Sequence, residues 1–441
     1  MRRHDNTTQK KLTSVLTFIL VLIILPVVFG TVFSSQSENT SGLSTPVVQT
    51  SPCIWQICSI DTMKTSRDLA RTHLNNPAYD SEIQNQLRLI KQTGASYVSI
   101  TTPYDEEFRP YLKRWVTLAR QEGLKVWFRG NWSSWEGWFG YPKDMSPEQH
   151  LIKNSQFITS NTALFQNGDI FDPCPECENA AFWPQDAKNQ DYRNFLQTQQ
   201  KQTKEDFKKI NKQVRVLPSV IGGRAKDVLD KQSFDSLDKI ISIDHYIKQP
   251  QGMAEYVDYF DKKFDTKVLV SEFGAPIPDM NGPMDEKQQA AFIKSILETL
   301  YKKGDKVVGL NYWVLSEGTT MLVNNDGSTR LAYDIVKQYF NPSVVEGRVT
   351  DSLDQGVSGL VVKTTDNASV TKTNENGYFQ LHIPPRKFEI VVDDPSFYSQ
   401  TASLTTTTSG EKISYNFFVA PKNPGIWYKL KLFWKNTIHK S

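Results

Sequence analysis

Histidine and cysteine are scarce in this chain, and neither sign of charge predominates. Its 441 residues include 6 His and 4 Cys, and the net charge is +3. The histidines are scattered without a His-x-His cluster, which disfavours a metal-dependent hydrolase, so no metal and no cofactor are predicted. Mixed charges give no basic groove for a nucleic acid. No glycine-rich phosphate loop follows an early strand, which makes an open doubly wound sheet only the second choice of fold.

The composition predicts a globular, aromatic-rich protein. Hydrophobic residues make up 39% and charged residues 22%, and there are ten Trp among 12% aromatics. A large core accounts for such a content. Sugar binding is the second interpretation, because pyranose rings pack their C–H faces on aromatic rings. The positions of the aromatic residues have to separate the two interpretations.

The N-terminal segment predicts export. Arg2, Arg3, Lys10 and Lys11 precede Leu12–Phe33, which is charge-free and long enough to span a bilayer. The flanking basic residues predict a cytoplasmic N-terminus and a single-pass protein of the cell membrane, with the bulk of the chain extracellular. A cleaved signal peptide and secretion remain the alternative. We therefore assign residues 1–33 to the N-terminus and membrane helix, and the Ser/Thr/Pro-rich residues 34–52 to a linker.

The four cysteines form two close pairs in sequence, Cys53 with Cys58 and Cys174 with Cys177. An exported chain permits disulfides. The spacing of the first pair is loose for zinc, and no strand–CxxC–helix pattern surrounds the second. Disulfides that staple loops, or free thiols, are therefore favoured over a zinc site or a thioredoxin-like site.

Residues 53–341 alternate short apolar runs with amphipathic helical stretches. Eight such units fit a (β/α)8 TIM barrel, whose usual length is about 250 residues. The predicted strands are 54–60, 96–101, 124–128, 168–171, 214–220, 240–243, 268–270 and 307–313.

The pattern changes near residue 342. Residues 342–420 have short alternating runs separated by Gly, Asn and Asp, as in Asn374-Glu-Asn-Gly377, and predict a small antiparallel, all-β sandwich. This segment resembles the carboxypeptidase-regulatory-like domains through Glu346–Asp351, Gly356–Leu360 and Thr373–Phe379. The resemblance implies an accessory module without chemistry. Residues 421–441 mix aromatic residues with lysines, which indicates either a helix on an anionic membrane surface or a poorly ordered terminus.

Polar and aromatic side chains follow the predicted strands. In a barrel the loops after the strands build the site. Core packing alone would not place Glu, His and Trp together there. In chain order they are Asp61, Lys64, Arg129, Asn131, Trp132, Trp135, Asp172, Glu176, Glu178, Asp244, His245, Tyr246, Glu272 and Trp313.

The order of these residues resembles the clan-A-type (β/α)8 glycoside hydrolases. The motifs are Ser271-Glu272-Phe273-Gly274, His245-Tyr246 and Asn311-Tyr312-Trp313, and the resemblance covers about residues 54–340. Such enzymes need two carboxylates across the scissile bond, one as acid and one as nucleophile. The resemblance implies a retaining mechanism, with the acid/base after the fourth strand and the nucleophile at the end of the seventh.

Carried onto this chain, the resemblance makes Glu272 the nucleophile. Tyr246 would donate a hydrogen bond to it, and Trp313 would form the floor under the sugar. Arg129 would orient the nucleophile or a sugar hydroxyl, with a salt bridge to a neighbouring carboxylate as the equal alternative. For Trp313 the alternative is a core aromatic, and for Tyr246 a capping hydroxyl.

The fourth strand departs from the family pattern. The family usually has Asn-Glu there, whereas this chain has Asp172-Pro-Cys-Pro-Glu176-Cys-Glu178-Asn179. Glu176 is nearer the strand and is favoured as the acid/base, with Glu178 as the competitor.

The remaining candidates for substrate binding are His245, Asn131, Asp61 and two rings of the loop Trp132–Tyr141, Trp132 and Trp135. Stacking on sugars is the functional interpretation of that loop, and hydrophobic packing of a long loop is the alternative. Together these features predict an extracellular, membrane-anchored retaining glycosidase that acts on a poly- or oligosaccharide. A catalytically inactive, glycan-binding barrel is the alternative function.

Overall fold

The computed structural model describes residues 53–180, 182–183 and 190–438. The predicted membrane segment and linker, residues 1–52, lie outside the described residues. In the described part of the chain, no helix combines the length and the apolar character needed to cross a membrane.

A curled parallel sheet of nine segments forms the barrel. Its order begins at β5, Arg215–Val216, and ends at β6, Ser219–Ile221, and only Leu217 and Pro218 separate these two segments in the chain. Pro218 has no N–H to donate and interrupts the ladder. The two segments are halves of one strand, so the sheet closes and the eight predicted strands are confirmed. The segments are β1 Ile57–Asp61, β2 Tyr97–Ile100, β3 Lys125–Phe128, β4 Ile170–Phe171, β5 Arg215–Val216, β6 Ser219–Ile221, β7 Ile240–Asp244, β8 Lys267–Phe273 and β9 Val307–Tyr312.

Amphipathic helices cover the outside of the barrel. Their apolar residues lie at helical spacing and are buried, as for Ile83, Leu87 and Ile90 of the helix that follows β1. The longer helices are Asp80–Gln92, Arg109–Gln121, Pro147–Ser160, Gln190–Lys209, Gln251–Phe264, Glu286–Tyr301 and Leu331–Phe340. The shorter ones are Met63–Ser66, Ala70–His73, Ser133–Glu136, Gly222–Val228, Lys231–Ser236 and Pro278–Asn281.

The interior of the barrel changes from apolar to charged along the strands. In β1, residues Ile57, Ser59 and Asp61 alternate and therefore share one face. Trp127 of β3 and Arg129, directly after β3, are likewise two residues apart and share one face. The carboxyl ends of the strands thus carry the charged side chains. An apolar cluster closes the other end and contains Ile57, Tyr97, Trp127, Ile170, Leu217, Leu269 and Val308.

The C-terminal sandwich consists of two four-stranded sheets. One has the order β13-β10-β16 with β17 paired to β10, and the other β12-β11-β14-β15. β10 pairs with β16 and β17 in parallel, so the prediction of a purely antiparallel sandwich is corrected. The strands are β10 Ser343–Thr350, β11 Val361–Thr364, β12 Val370–Lys372, β13 Tyr378–Ile383, β14 Lys387–Val392, β15 Gln400–Thr405, β16 Lys412–Ser414 and β17 Phe417–Phe418.

Both cysteine pairs are disulfides. Cys53 pairs with Cys58 and Cys174 with Cys177, at Cα–Cα distances of 6.4 and 5.4 Å. No described cysteine is free. The predicted staples are therefore present, and one of them encloses the loop that carries Glu176. The tail contains a further helix, Ile426–Ile438, beside the sandwich.

Candidate active site

Arg129 occupies the centre of a cluster of carboxylates at the mouth of the barrel. It follows β3 and is buried. Its Nη2 donates to Asp244 Oδ2 at 2.7 Å, and its Nη1 donates to Glu272 Oε1 at 2.9 Å. Burial opposes the charge of the guanidinium, but the carboxylates of Asp244 and Glu272 raise the pKa of Arg129 well above its usual value. The carboxylates within 4 Å belong to Asp61, Asp172, Asp244 and Glu272.

Glu272 lies at the end of β8, where the apolar strand reaches the mouth. Its Oε2 accepts a hydrogen bond from the Tyr246 hydroxyl at 2.9 Å, while Arg129 donates to Oε1. Burial and then the Asp244 charge raise the pKa of Glu272 to about 8, although Arg129 and Tyr246 act in the opposite direction. The next residue but one, Gly274, allows the backbone of β8 to pass close to that of Trp313. A Cβ at position 274 would lie 2.3 Å from the Trp313 carbonyl oxygen.

Glu176 faces Glu272 across the mouth. One carboxylate oxygen of each of Glu176, Asp244 and Glu272 lies within 4.8 Å of the others. Glu176 is partly exposed and has left-handed backbone dihedrals, φ 51° and ψ 40°. Burial, followed by the charges of Asp244 and Glu272, raises its pKa to about 10. A proton is therefore held more tightly on Glu176 than on Glu272, which is the division of roles between an acid and a nucleophile.

Glu178 has a different environment, although it is only two residues away. It is 1% exposed, and its Oε2 accepts from the Tyr192 hydroxyl at 3.2 Å. Its Oε1 accepts from the backbone N–H of Ile221 at the end of β6. Burial raises its pKa to about 7. Both oxygens are engaged in holding the loop after β4 against its neighbours.

Asp61 and Asp172 lie on the far side of Arg129 from the open mouth, each 3.7 Å from the guanidinium. Asp61 is fully buried and accepts from the Ser99 hydroxyl at 2.6 Å and from Asn311 Nδ2 at 3.3 Å. Asp172 accepts from the backbone N–H of Ser219 at 3.1 Å. Burial raises the pKa of Asp172 to about 7. For Asp61, predicted to bind substrate, the structure shows support for Arg129 instead, because its carboxylate has no open side.

Tyr246, His245 and Trp313 surround Glu272. The rings of Tyr246 and Trp313 meet edge to face at 5.9 Å, and Trp313 is partly exposed. A cavity of about 460 Å³ opens beside the indole, with Lys64 and Met321 among its lining residues. Trp313 thus offers a ring face at the mouth. The His245 ring packs at 3.8 Å on Tyr256, and burial lowers its pKa to about 4, so it is neutral near pH 7.

The aromatic loop after β3 is packed rather than open. Trp132 is 6% exposed and Trp135 1%, and the Trp132 Nε1 donates to Asn154 Oδ1 at 2.8 Å. Asn131 is fully buried and donates to Glu136 at 2.6 Å. The predicted contacts of these three residues with sugars are therefore corrected. The helix Pro147–Ser160 folds over the loop and covers it.

Two groups in the described part have the spacing of metal ligands. The oxygens of Glu176, Asp244 and Glu272 form one, but Arg129 already neutralises two of these carboxylates and competes with a cation. His150 forms the other with Cys174 and Cys177. The disulfide removes the thiolates that such a site would need.

The sequence places Asp244 at the end of a strand without giving it a role, and it does not assign Ser219 or Ser271 to the site. Asp244 is the nearest partner of Arg129 and also accepts from the Ser271 hydroxyl at 2.6 Å. Its signal was visible, since it ends β7 directly before His245. Ser219 and Ser271, which line the interior, give no such signal. Ser271 and Glu272 are adjacent, and both reach the Arg129 cluster because the pairing of β7 with β8 shifts register here.

Residues 344–419 match the sequence model of the carboxypeptidase regulatory-like domain. The match covers β10 to β17 and confirms the resemblance predicted from Glu346–Asp351 and its neighbouring motifs. No curated protein matches the chain.

Among solved structures, the barrel is similar to several glycosidases. The beta-glycosidase BGL167 has 11% identity and a TM-score of 0.46, with 66% of this chain and 96% of that chain covered. A broad specificity endoglucanase of group GH5-4 from Clostridum cellulovorans has 14% identity and a TM-score of 0.47, with coverages of 65% and 94%. XacCel5A, solved with cellopentaose, has 10% identity and a TM-score of 0.46, with coverages of 65% and 99%.

Proposed function

We propose that the chain is a retaining glycoside hydrolase that cleaves an O-glycosidic bond of a poly- or oligosaccharide. The observation that carries the proposal is the pair Glu176 and Glu272, whose nearest carboxylate oxygens lie within 4.8 Å at the mouth of the barrel. Retaining enzymes hold their two carboxyl groups about 5–5.5 Å apart, whereas inverting enzymes leave about 6.5–9.5 Å for a water molecule.

The geometry supports a double displacement. Glu272, held by Arg129 and Tyr246, attacks the anomeric carbon as the carboxylate. Glu176 gives its proton to the leaving oxygen, and the bond to that oxygen breaks. Glu176, now ionised, then takes a proton from water, and the resulting nucleophile releases the sugar from Glu272. Trp313 supplies an apolar face beside these groups on which a pyranose ring can pack.

An extracellular, membrane-anchored location belongs to the same proposal. It rests on Leu12–Phe33, outside the described residues, and on the two disulfides, which persist in oxidising compartments. A location outside the cell also suits a polysaccharide substrate.

The direct test is release of reducing sugar from a panel of β-glycans by the full chain and by Glu272→Gln. We expect the variant to lose activity by a factor on the order of 10³ or more, because it removes the attacking group. Glu205→Gln is the matched control, since Glu205 is exposed on a helix outside the site. A 2-fluoro glycoside should form a covalent adduct on the peptide that contains Glu272.

Equal activity of the wild type and Glu272→Gln would refute the assignment of the nucleophile. Glycan binding by the wild type without any hydrolysis would instead support the alternative, an inactive binding barrel.

A further inference from the structure

The last helix, Ile426–Ile438, attaches to the sandwich by one face. The backbone N–H of Ser352 donates to the Tyr428 hydroxyl at 3.1 Å. Lys435 Nζ donates to the Ser352 carbonyl at 3.1 Å and to Asp354 Oδ2 at 2.5 Å. Tyr428, Leu432 and Lys435 are the less exposed residues of the helix and share this face. The opposite face therefore points away from the sandwich.

That opposite face is apolar and uncovered. At about 100° per residue its large side chains span an arc of roughly 120°. Clusters of this kind on a protein surface mark contacts with other proteins or with membranes. The large side chains of this face are exposed by 66% for Ile426, 76% for Trp427, 42% for Leu430, 63% for Phe433 and 61% for Trp434.

Lysines flank the apolar face on both sides. Lys429 and Lys431 lie at its two edges and are exposed. The sequence from Pro421 to Ser441 contains no Asp or Glu. Lysine is depleted in the cores of protein interfaces, whereas a lysine stem can extend to headgroups while aromatic rings enter the acyl region. The charge and the rings together match a surface of anionic lipid.

The length of the helix determines how it would bind. Its 13 residues extend about 20 Å at 1.5 Å per residue, less than the roughly 30 Å of a hydrocarbon core. Such a helix lies in the interface with its apolar side inward.

We propose that Ile426–Ile438 is an interfacial helix that binds an anionic bilayer surface through Trp427, Phe433, Trp434 and the flanking lysines. This attachment is independent of glycoside hydrolysis. It is also separate from the predicted anchor Leu12–Phe33, at the other end of the chain.

The test must observe the helix itself, since the predicted anchor would hold the full chain on any vesicle. We suggest measuring the quenching of tryptophan fluorescence by vesicles with brominated acyl chains, either zwitterionic phosphatidylcholine or anionic phosphatidylglycerol. The signal of Trp427 and Trp434 is the difference between the full chain and the double variant Trp427→Phe/Trp434→Phe. We expect this difference to be about twofold or more larger with anionic lipid, and to fall in high salt.

Charge variants provide the decisive comparison. Lys429→Glu/Lys431→Glu should reduce the anionic quenching about twofold or more, because both edges then repel the surface. Lys372→Glu/Lys387→Glu, on exposed strand positions of the same sandwich, is the matched control and should leave it unchanged. Equal quenching in both lipids, or no effect of the Lys429/Lys431 change, would overturn the proposal. Lipid-independent dimerisation through Trp427 and Trp434 would also overturn it and identify a second copy of the chain as the occupant.

Discussion

Arg129 is the residue on which the stability of the site depends. Its guanidinium is buried among four carboxylates, and two of them, on Asp244 and Glu272, accept directly from it. A buried pair of charges adds little over an apolar pair, but removing one partner leaves the other uncompensated. Arg129 therefore holds the Glu272 carboxylate in place and also allows several acidic groups to coexist.

We predict that Arg129→Met lowers the free energy of unfolding by about 3–5 kcal/mol near pH 8. The loss should shrink towards pH 5. Without the guanidinium the pKa values of Glu272 and Asp172, already raised to about 8 and 7, rise further above the unfolded value of about 4. The folded variant then binds more protons than the unfolded chain, so its stability falls as pH rises.

Chemical unfolding at several pH values measures this effect. Arg88→Met is the matched control, because the Arg88 side chain is 52% exposed and makes one surface ion pair with Glu122 at 3.3 Å. Arg88→Met should lower the free energy of unfolding by about 1 kcal/mol or less at any pH. A pH-independent loss for Arg129→Met would mean that packing of the side chain, not its charge, matters.

Replacing Glu176 and replacing Glu178, the two glutamates after β4, should have different effects on the pH dependence of kcat/KM. In the wild type, kcat/KM should rise as Glu272 loses its proton, with a pKa near 8, and fall as Glu176 loses its proton, with a pKa near 10. Glu176→Gln should remove the falling limb and reduce the rate on natural glycans by about 10²–10⁴. The leaving group of a dinitrophenyl glycoside needs no proton. Glu176→Gln should therefore slow the cleavage of this substrate far less than the cleavage of natural glycans.

Glu178→Gln is the comparison variant in this experiment. It disturbs the bonds to Ile221 and Tyr192, so it should lower stability and leave the falling limb in place. If Glu178→Gln abolished that limb while Glu176→Gln preserved it, Glu178 would be the acid.

At the scale of elements, strands and their ends could be predicted well. The apolar runs at 54–60 and 307–313 mark β1 and β9 because buried parallel strands are continuously apolar. The positions of Glu272 and Tyr246 follow from this, since residues at or just after the carboxyl end of a barrel strand lie at the mouth.

The helix Pro147–Ser160 could not be found from apolar periodicity. Its buried face includes His150 and Asn154, which bond to the loop after β3 and to the backbone of Pro173. The local signals lie at its start, where Ser146 and Gln149 form a capping box and Pro147 occupies the first helical position. The helix covers Trp132 and Trp135, which agrees with hydrophobic packing of the loop, the alternative to stacking on sugars.

The loop that carries Glu176 is held by a disulfide, and the removal of this bridge can be tested. A left-handed backbone at a non-glycine residue costs about 1–2 kcal/mol, and the Cys174–Cys177 disulfide constrains it on both sides. We expect Cys174→Ser/Cys177→Ser to lower kcat about tenfold or more with little change in KM, since a displaced acid weakens the chemical step more than binding.

The second disulfide of the barrel provides the control. Cys53→Ser/Cys58→Ser should lower the melting temperature and leave kcat unchanged, because this bridge lies at the start of β1, away from the mouth. A large rise in KM for the Cys174/Cys177 variant, with kcat preserved, would contradict the positioning role.

At the scale of the whole molecule, one arginine joins the barrel to the sandwich. Arg386, between β13 and β14, donates to Glu298 Oε1 of the helix Glu286–Tyr301 at 3.0 Å and lies 5.0 Å over the Tyr301 ring. Its other nitrogen donates to Asp366 Oδ2 at 3.0 Å within the sandwich. Only residues 341–342 connect the last barrel helix to β10. Because the side chains of Arg386 and Glu298 are 22% and 30% exposed, their ion pair contributes about 1 kcal/mol or less. Together with the ring contact and the short connection, it couples the two domains in unfolding.

We therefore expect the full chain, in detergent micelles, to unfold with one calorimetric transition, and Arg386→Met to separate it into two. The sandwich, which has the smaller core, should unfold first because small domains bury less of their surface. Arg348→Met is the matched control, since Arg348 packs on Tyr378 inside the sandwich and does not reach the barrel. Two separate transitions already present in the wild type would show that the Arg386 contacts do not couple the domains. One transition in Arg386→Met would assign the coupling to the short connection at 341–342 and to the other contacts between the domains, such as those of Tyr301 with Ser369 and of His382 with the Cys53 backbone.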